Sequence, residues 1–239
     1  MRVTRRGRPG DEDLLVVLGW GNRPEHEHVA WLLTRLVEAG YRVHAVTIPT
    51  NGWDFEAQYR APVASYTADR DFEAVLSHST GGLVAEHLDG YRNVFLSPWW
   101  GIATDGWLDR VVTDLFTKIP SARRLYDPDF GPDAIGDLKS AAEAAAGPQG
   151  ISPAFLATIR EAQSRLGPFD DGDVVVYTPS DRIVDPDAIE ARVPPVNRRK
   201  YDGGHEFFAS SGREEILEDV LAALESGPAA FEGSDGTDE

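Results

Sequence analysis

A chain of 239 residues with 41% hydrophobic side chains is long enough to bury one sizeable core, and a formal charge of −17 leaves no basic stripe to neutralise nucleic-acid phosphates. The absence of cysteine excludes disulfides, thiolate zinc sites and thiol catalysis. No apolar stretch approaches the roughly 18 residues of a membrane-spanning helix, and the N-terminus lacks the core of a signal peptide, so a soluble, cytoplasmic protein is expected.

The first residues carry Arg2, Arg5, Arg6 and Arg8, followed at once by Asp11, Glu12 and Asp13. This mixed-charge run reads as a flexible N-terminus over 1–12. The apolar run 14–18 is the first buried strand, closed by a Gly19-Trp20-Gly21-Asn22 turn. Apolar residues at Val29, Leu32, Leu33, Leu36 and Val37 then recur with helical spacing until Gly40. Residues 41–48 form a second strand ending at Pro49, and 55–66 a short helical or irregular stretch. A third strand over 72–76 runs into small residues, a helix over about 81–88 follows, and 93–98 is a fourth strand.

The interval 99–169 contains no convincing strand. It holds helical segments near 107–116, near Ala141 and over 153–166, around a stretch rich in Pro, Asp and Gly at 126–136. The fifth strand is 173–178, a weaker sixth is 197–201, and an amphipathic helix over 214–224 closes the domain. The residues from 226 to 239 are polar and acidic and are expected to be a disordered tail. Strands alternating with helices imply a mainly parallel sheet of about six strands with helices on both faces, an α/β domain over 13–225. In such sheets ligands gather at the carboxyl ends of the strands.

The charge comes from 40 acidic against 23 basic residues, and only Lys118, Lys139 and Lys200 among the bases are lysine. Carboxylate excess with scarce lysine resembles the composition of salt-in halophilic archaeal proteins; an arginine-rich protein of a GC-rich genome is the alternative. Net charge of this size bears on solubility and salt response, not on fold.

Three chemistry-bearing residues each follow a strand. Ser79, in Ser77-His78-Ser79-Thr80-Gly81, stands where a strand turns sharply into a helix, a geometry that lifts a hydroxyl above the strand end. His205 lies in the glycine-flexed loop between the last strand and the last helix, and Asp181 follows the fifth strand. A serine needs a base to take its proton, and the base needs a carboxylate to hold its tautomer. His78 adjoins the serine but points elsewhere, and His26 with His28 reads as a solvated helix face; no metal site is expected. Asp185 and Asp187 read as the cap and first turn of a helix with Pro186 between them.

With these residues in the order serine, acid, histidine, the chain resembles the α/β-hydrolase family from about 14 to 224. Gly19-Trp20-Gly21 looks like the family's His-Gly-X-Gly oxyanion loop, with Leu18 in the histidine's place, and Ser77 replaces the leading glycine of the serine elbow. The resemblance implies an α/β-hydrolase fold with reduced N-terminal strands and a small helical cap over about 99–169. It further implies an oxyanion hole from the backbone N–H groups of Trp20 and Thr80, with no cofactor. Trp99 and Trp100, opposite Trp20, either wall an apolar substrate pocket or pack the cap onto the core. The implied activity is hydrolysis of a small carboxylic ester, or a related thioester or amide. Lyase or acyltransferase chemistry on the same triad, or a catalytically silent binding domain, are the other outcomes.

Overall fold

A computed structural model describes residues 1–103, 107–128, 130–148 and 150–231, the side chains of 107–111 excepted. Its frame is one seven-stranded sheet in the order β1-β3-β2-β4-β5-β6-β7. The strands are β1 (Arg2–Arg6), β2 (Glu12–Val17), β3 (Tyr41–Thr47), β4 (Ala74–His78), β5 (Arg92–Leu96), β6 (Val174–Tyr177) and β7 (Arg198–Lys200). All pairs are parallel except β1 with β3.

The N-terminus therefore differs from expectation. Residues 2–6, anticipated as part of a flexible end, form an antiparallel edge strand in which Arg2 faces Thr47 and Arg6 faces Val43. Its arginines suit an outer edge, where charge discourages pairing with another chain, and Arg6 donates to the Pro24 carbonyl at 2.6 Å. The tail also begins later than anticipated. Residues Gly227–Phe231 form a 3₁₀ turn in which Phe231 is buried beneath the Arg199 guanidinium, 3.5 Å from the ring centre. The rest of the anticipated tail, 232–239, lies outside the described residues.

The central strands are apolar on both sides because helices cover both faces. On one face Leu14, Val16, Val43, Leu76 and Val176 pack against α1 (Glu27–Glu38) and α9 (Arg213–Ser226). On the other, Leu15, Val17, Val75, Phe95 and Val175 meet the π-helical turn Glu56–Arg60 that runs into α2 (Ala61–Thr67), together with α3 (Thr80–Ala85). The same face is covered by α7 (Pro153–Gln163) and α8 (Pro186–Arg192), and Asp185 caps α8 by accepting from Asp187 N at 3.0 Å. Between β5 and β6 the insertion contributes α4 (Trp107–Thr117), α5 (Pro132–Ile135) and α6 (Ala141–Ala145) before α7.

Phe155 of α7 ties this insertion to the sheet. It is fully buried, with ring centres 6.4 Å from Trp20, 6.0 Å from Trp99 and 6.4 Å from Tyr59. Phe155→Ala should cost about 3–5 kcal/mol, because three fixed aromatic neighbours cannot collapse into the space left. Urea unfolding would check this: a lower midpoint at unchanged slope is expected, and an unchanged midpoint would show that the site repacks.

Candidate active site

β4 ends at His78, and α3 begins at Thr80, so a single residue makes the turn between them. Ser79 achieves this with φ 53° and ψ −118°, a left-handed conformation that an L-residue holds only where its surroundings enforce it. Ser79 N donates to Leu96 O at 3.0 Å, and Ser79 O accepts from Trp99 N at 3.0 Å and from Leu83 N at 3.2 Å. Gly81 is required by close approach, since a Cβ there would lie 2.2 Å from the Val17 carbonyl oxygen. Ser77 replaces a small residue without blocking the turn: it is fully buried in the strand, opposite Phe95 and Val17.

The acid and the histidine come from the ends of β6 and β7. His205 Nδ1 lies 2.7 Å from Asp181 Oδ2, with both side chains almost wholly buried. Asp181 Oδ1 accepts from Ile183 N at 2.8 Å and Val184 N at 3.0 Å. Burial pushes the Asp181 carboxyl up, but His205 and these two N–H groups outweigh it, and the group sits below the ordinary carboxylate range. A carboxylate so held favours the His205 tautomer with its proton on Nδ1, leaving Nε2 able to accept one.

Ser79, Asp181 and His205 border one cavity of about 1490 Å³, and so do Trp20 and Thr80. Thr80 is the first residue of α3, where no preceding turn supplies an acceptor, and among the described residues neither its N–H nor that of Trp20 has a backbone partner. The two tryptophans of the insertion part company. Trp99 borders the cavity. Trp100 does not: it packs edge-on against Phe95 at 4.9 Å and beneath the Arg192 guanidinium, in the core below the rim. Consecutive side chains leaving a strand end diverge, so only one of the pair reaches the pocket. Phe116, Ile151 and Leu156 add apolar wall, while Lys139, Glu206 and Asn22 make one side polar.

The remaining histidines occupy separate surroundings. His28 is buried, hydrogen-bonded to Arg213 and 3.8 Å from Glu143, instead of lying on a solvated helix face as expected; His26 is exposed at the cap of α1. His44 bonds Tyr66 and Asp13, and His87 bonds Ala162 O. His78, set aside as a base, packs its ring 4.7 Å from that of His205. Burial, reinforced by His205, pushes His78 down to about 3, so it is a neutral wall for the His205 ring. Its Nδ1 would come within 2.6 Å of a Cβ on Gly19, so the first-strand turn also needs glycine there.

The alpha/beta hydrolase family pattern matches residues 14–219, and the chain belongs to that family. No curated protein sequence matches it. Among solved structures, a monoacylglycerol lipase from Paleococcus ferrophilus superposes with a TM-score of 0.68 at 16% identity, covering 95% of this chain and 100% of that one. A soluble variant of monoglyceride lipase from Saccharomyces cerevisiae gives 0.71 at 15% identity over 94% and 92% of the two chains. An esterase from Exiguobacterium antarcticum gives 0.65 at 13% identity over 94% and 95%. At such identities the likeness speaks for the fold.

Proposed function

We propose that this chain is a serine hydrolase that cleaves a small, uncharged carboxylic ester through a covalent acyl-enzyme. Ser79 attacks the carbonyl carbon, His205 Nε2 takes its proton and then delivers it to the leaving alcohol, and Asp181 steadies the imidazolium. The N–H groups of Trp20 and Thr80 receive the developing oxyanion, each such donor being worth roughly 3–4 kcal/mol in comparable sites. Water then attacks the acyl-enzyme with His205 as base. No cofactor enters these steps.

The observation that carries the reading is the buried His205–Asp181 pair, which shares a cavity with a serine held at φ 53° on a strand-to-helix elbow. The lipases and esterases of the same fold support it as analogy. Trp20 and Trp99 supply apolar wall for the acyl or alcohol group. The cavity volume exceeds the roughly 300–1000 Å³ usual for small-ligand sites, which leaves room for acyl chains longer than acetyl. A fluorophosphonate probe tests the reading directly: the protein should be labelled at Ser79, and labelling absent from the wild type, or surviving in Ser79→Ala, would overturn it.

The carboxylate excess also predicts a salt response. At 1 M salt the Debye length falls to about 3 Å from about 10 Å at 0.1 M, which screens the mutual repulsion of a chain carrying −17. The midpoint of thermal unfolding should therefore rise between 0.1 M and 2 M potassium chloride. A flat or falling midpoint would count against adaptation to high salt.

A further inference from the structure

Glu206 follows His205 directly, yet its side chain does not face the same partners. It is almost wholly buried, and its two oxygens are divided between distant parts of the chain. Oε1 accepts from Asn22 Nδ2 at 2.9 Å, and Oε2 lies 2.8 Å from Lys139 Nζ. Asn22 closes the Gly19–Asn22 turn by donating its own N–H to Gly19 O at 3.1 Å. That turn carries Trp20, one of the two proposed oxyanion donors. Lys139 reaches in from the insertion just after α5, and its side chain is only 15% exposed.

The backbone makes the same junction. His205 N donates to Ala134 O at 3.0 Å, Glu206 N to Ile135 O at 2.7 Å, and Leu138 N to Ala209 O at 2.9 Å. The stretch around α5 is therefore stitched to the histidine loop, and Glu206 extends that stitching across to the end of β2. Burial alone would push the Glu206 carboxyl up, but the Lys139 ammonium first, and then the Asn22 hydrogen bond, pull it below the ordinary range, so it is an anion in place. An unpaired buried carboxylate is costly, which accounts for a lysine at this point in a chain that has only three.

We propose that Glu206 is a positioning residue for the oxyanion turn: through Asn22 it holds the Trp20 N–H in register with the His205 loop, while Lys139 neutralises it from the insertion. The proposal rests on the hydrolase reading above. It makes the insertion a working part of the catalytic geometry as well as a wall of the pocket. The hydrogen bond to Asn22 sets the position; the charge pair only allows a carboxylate to be buried there.

The two roles separate by mutation. Asn22→Ala removes the hydrogen bond and leaves the Glu206–Lys139 pair whole. It should lower kcat on p-nitrophenyl butyrate by about 10- to 100-fold, a part of what loss of an oxyanion donor costs, with KM within about twofold. Asn22→Ser, too short to reach Glu206, carries the same expectation if the alanine variant does not fold. The double variant Glu206→Gln/Lys139→Met keeps an amide oxygen facing Asn22 without burying a lone charge, and should lose clearly less kcat than Asn22→Ala does. Wild-type kcat in Asn22→Ala and Asn22→Ser overturns the proposal. So does a double variant that falls as far as Asn22→Ala, because charge would then be what matters. Fluorophosphonate labelling separates this from the parent reading. An unlabelled wild type overturns both, whereas a labelled wild type with Asn22→Ala labelled at the same rate overturns only the positioning role.

Discussion

Ser79→Ala should lose ester hydrolysis by about 10⁶-fold in kcat, the scale seen when the nucleophile of a serine triad is removed, or about 8 kcal/mol of transition-state stabilisation. Alanine keeps the Cβ that already fits at the elbow, and the three backbone bonds that clamp the residue do not involve the hydroxyl. Global stability should therefore stay within about 0.5–1 kcal/mol of wild type, and circular dichroism melting beside steady-state kinetics checks both halves. Activity within tenfold of wild type would remove Ser79 from the nucleophile's role.

Asp181→Asn should lower kcat by about 10⁴-fold with little change in KM or fold. The reason lies in how the carboxylate is held. Oδ1 accepts two backbone N–H groups while Oδ2 faces His205 Nδ1. An asparagine oxygen takes over the two N–H bonds, so its NH₂ group is forced toward Nδ1. The imidazole must then present a lone pair at Nδ1 and carry its proton on Nε2, where it cannot accept one from serine. Nearly unchanged kcat in a folded Asp181→Asn protein would show that another group orients His205. The isosteric change separates tautomer control from packing, which Asp181→Ala does not.

Much of the frame is legible in the sequence because its signals are local. An apolar run followed by helix-spaced apolar residues places β2 with α1. The abrupt passage from apolar to small residues locates the Ser79 turn. Asp185, Pro186 and Asp187 announce the start of α8 by their own hydrogen-bonding chemistry. β1 is the instructive miss: Arg-Val-Thr-Arg-Arg has no apolar alternation to report, since an edge strand needs only one neighbour and benefits from charge. Phe231 is another, a single aromatic in a polar stretch whose burial depends on Arg199 and the adjoining helix. Trp99 and Trp100 are adjacent and chemically alike, so no pattern along the chain distinguishes the one at the cavity from the one in the core.

By itself, then, the sequence determined the order of strands and helices from β2 onward, the tight turn at Ser79, and the strand-end positions of Asp181 and His205, because each depends on neighbours a few residues away. Only the tertiary structure decided that His205 and Asp181 meet at 2.7 Å, that His78 is a neutral wall, and that Glu206 joins Asn22 and Lys139. Asn22 and Glu206 are 184 residues apart, and their contact exists only because parallel strands bring the ends of β2 and β7 to the same rim. Periodicity and turn chemistry report which way a side chain faces along its own element, while the partner it meets is settled by how the sheet closes over all seven strands.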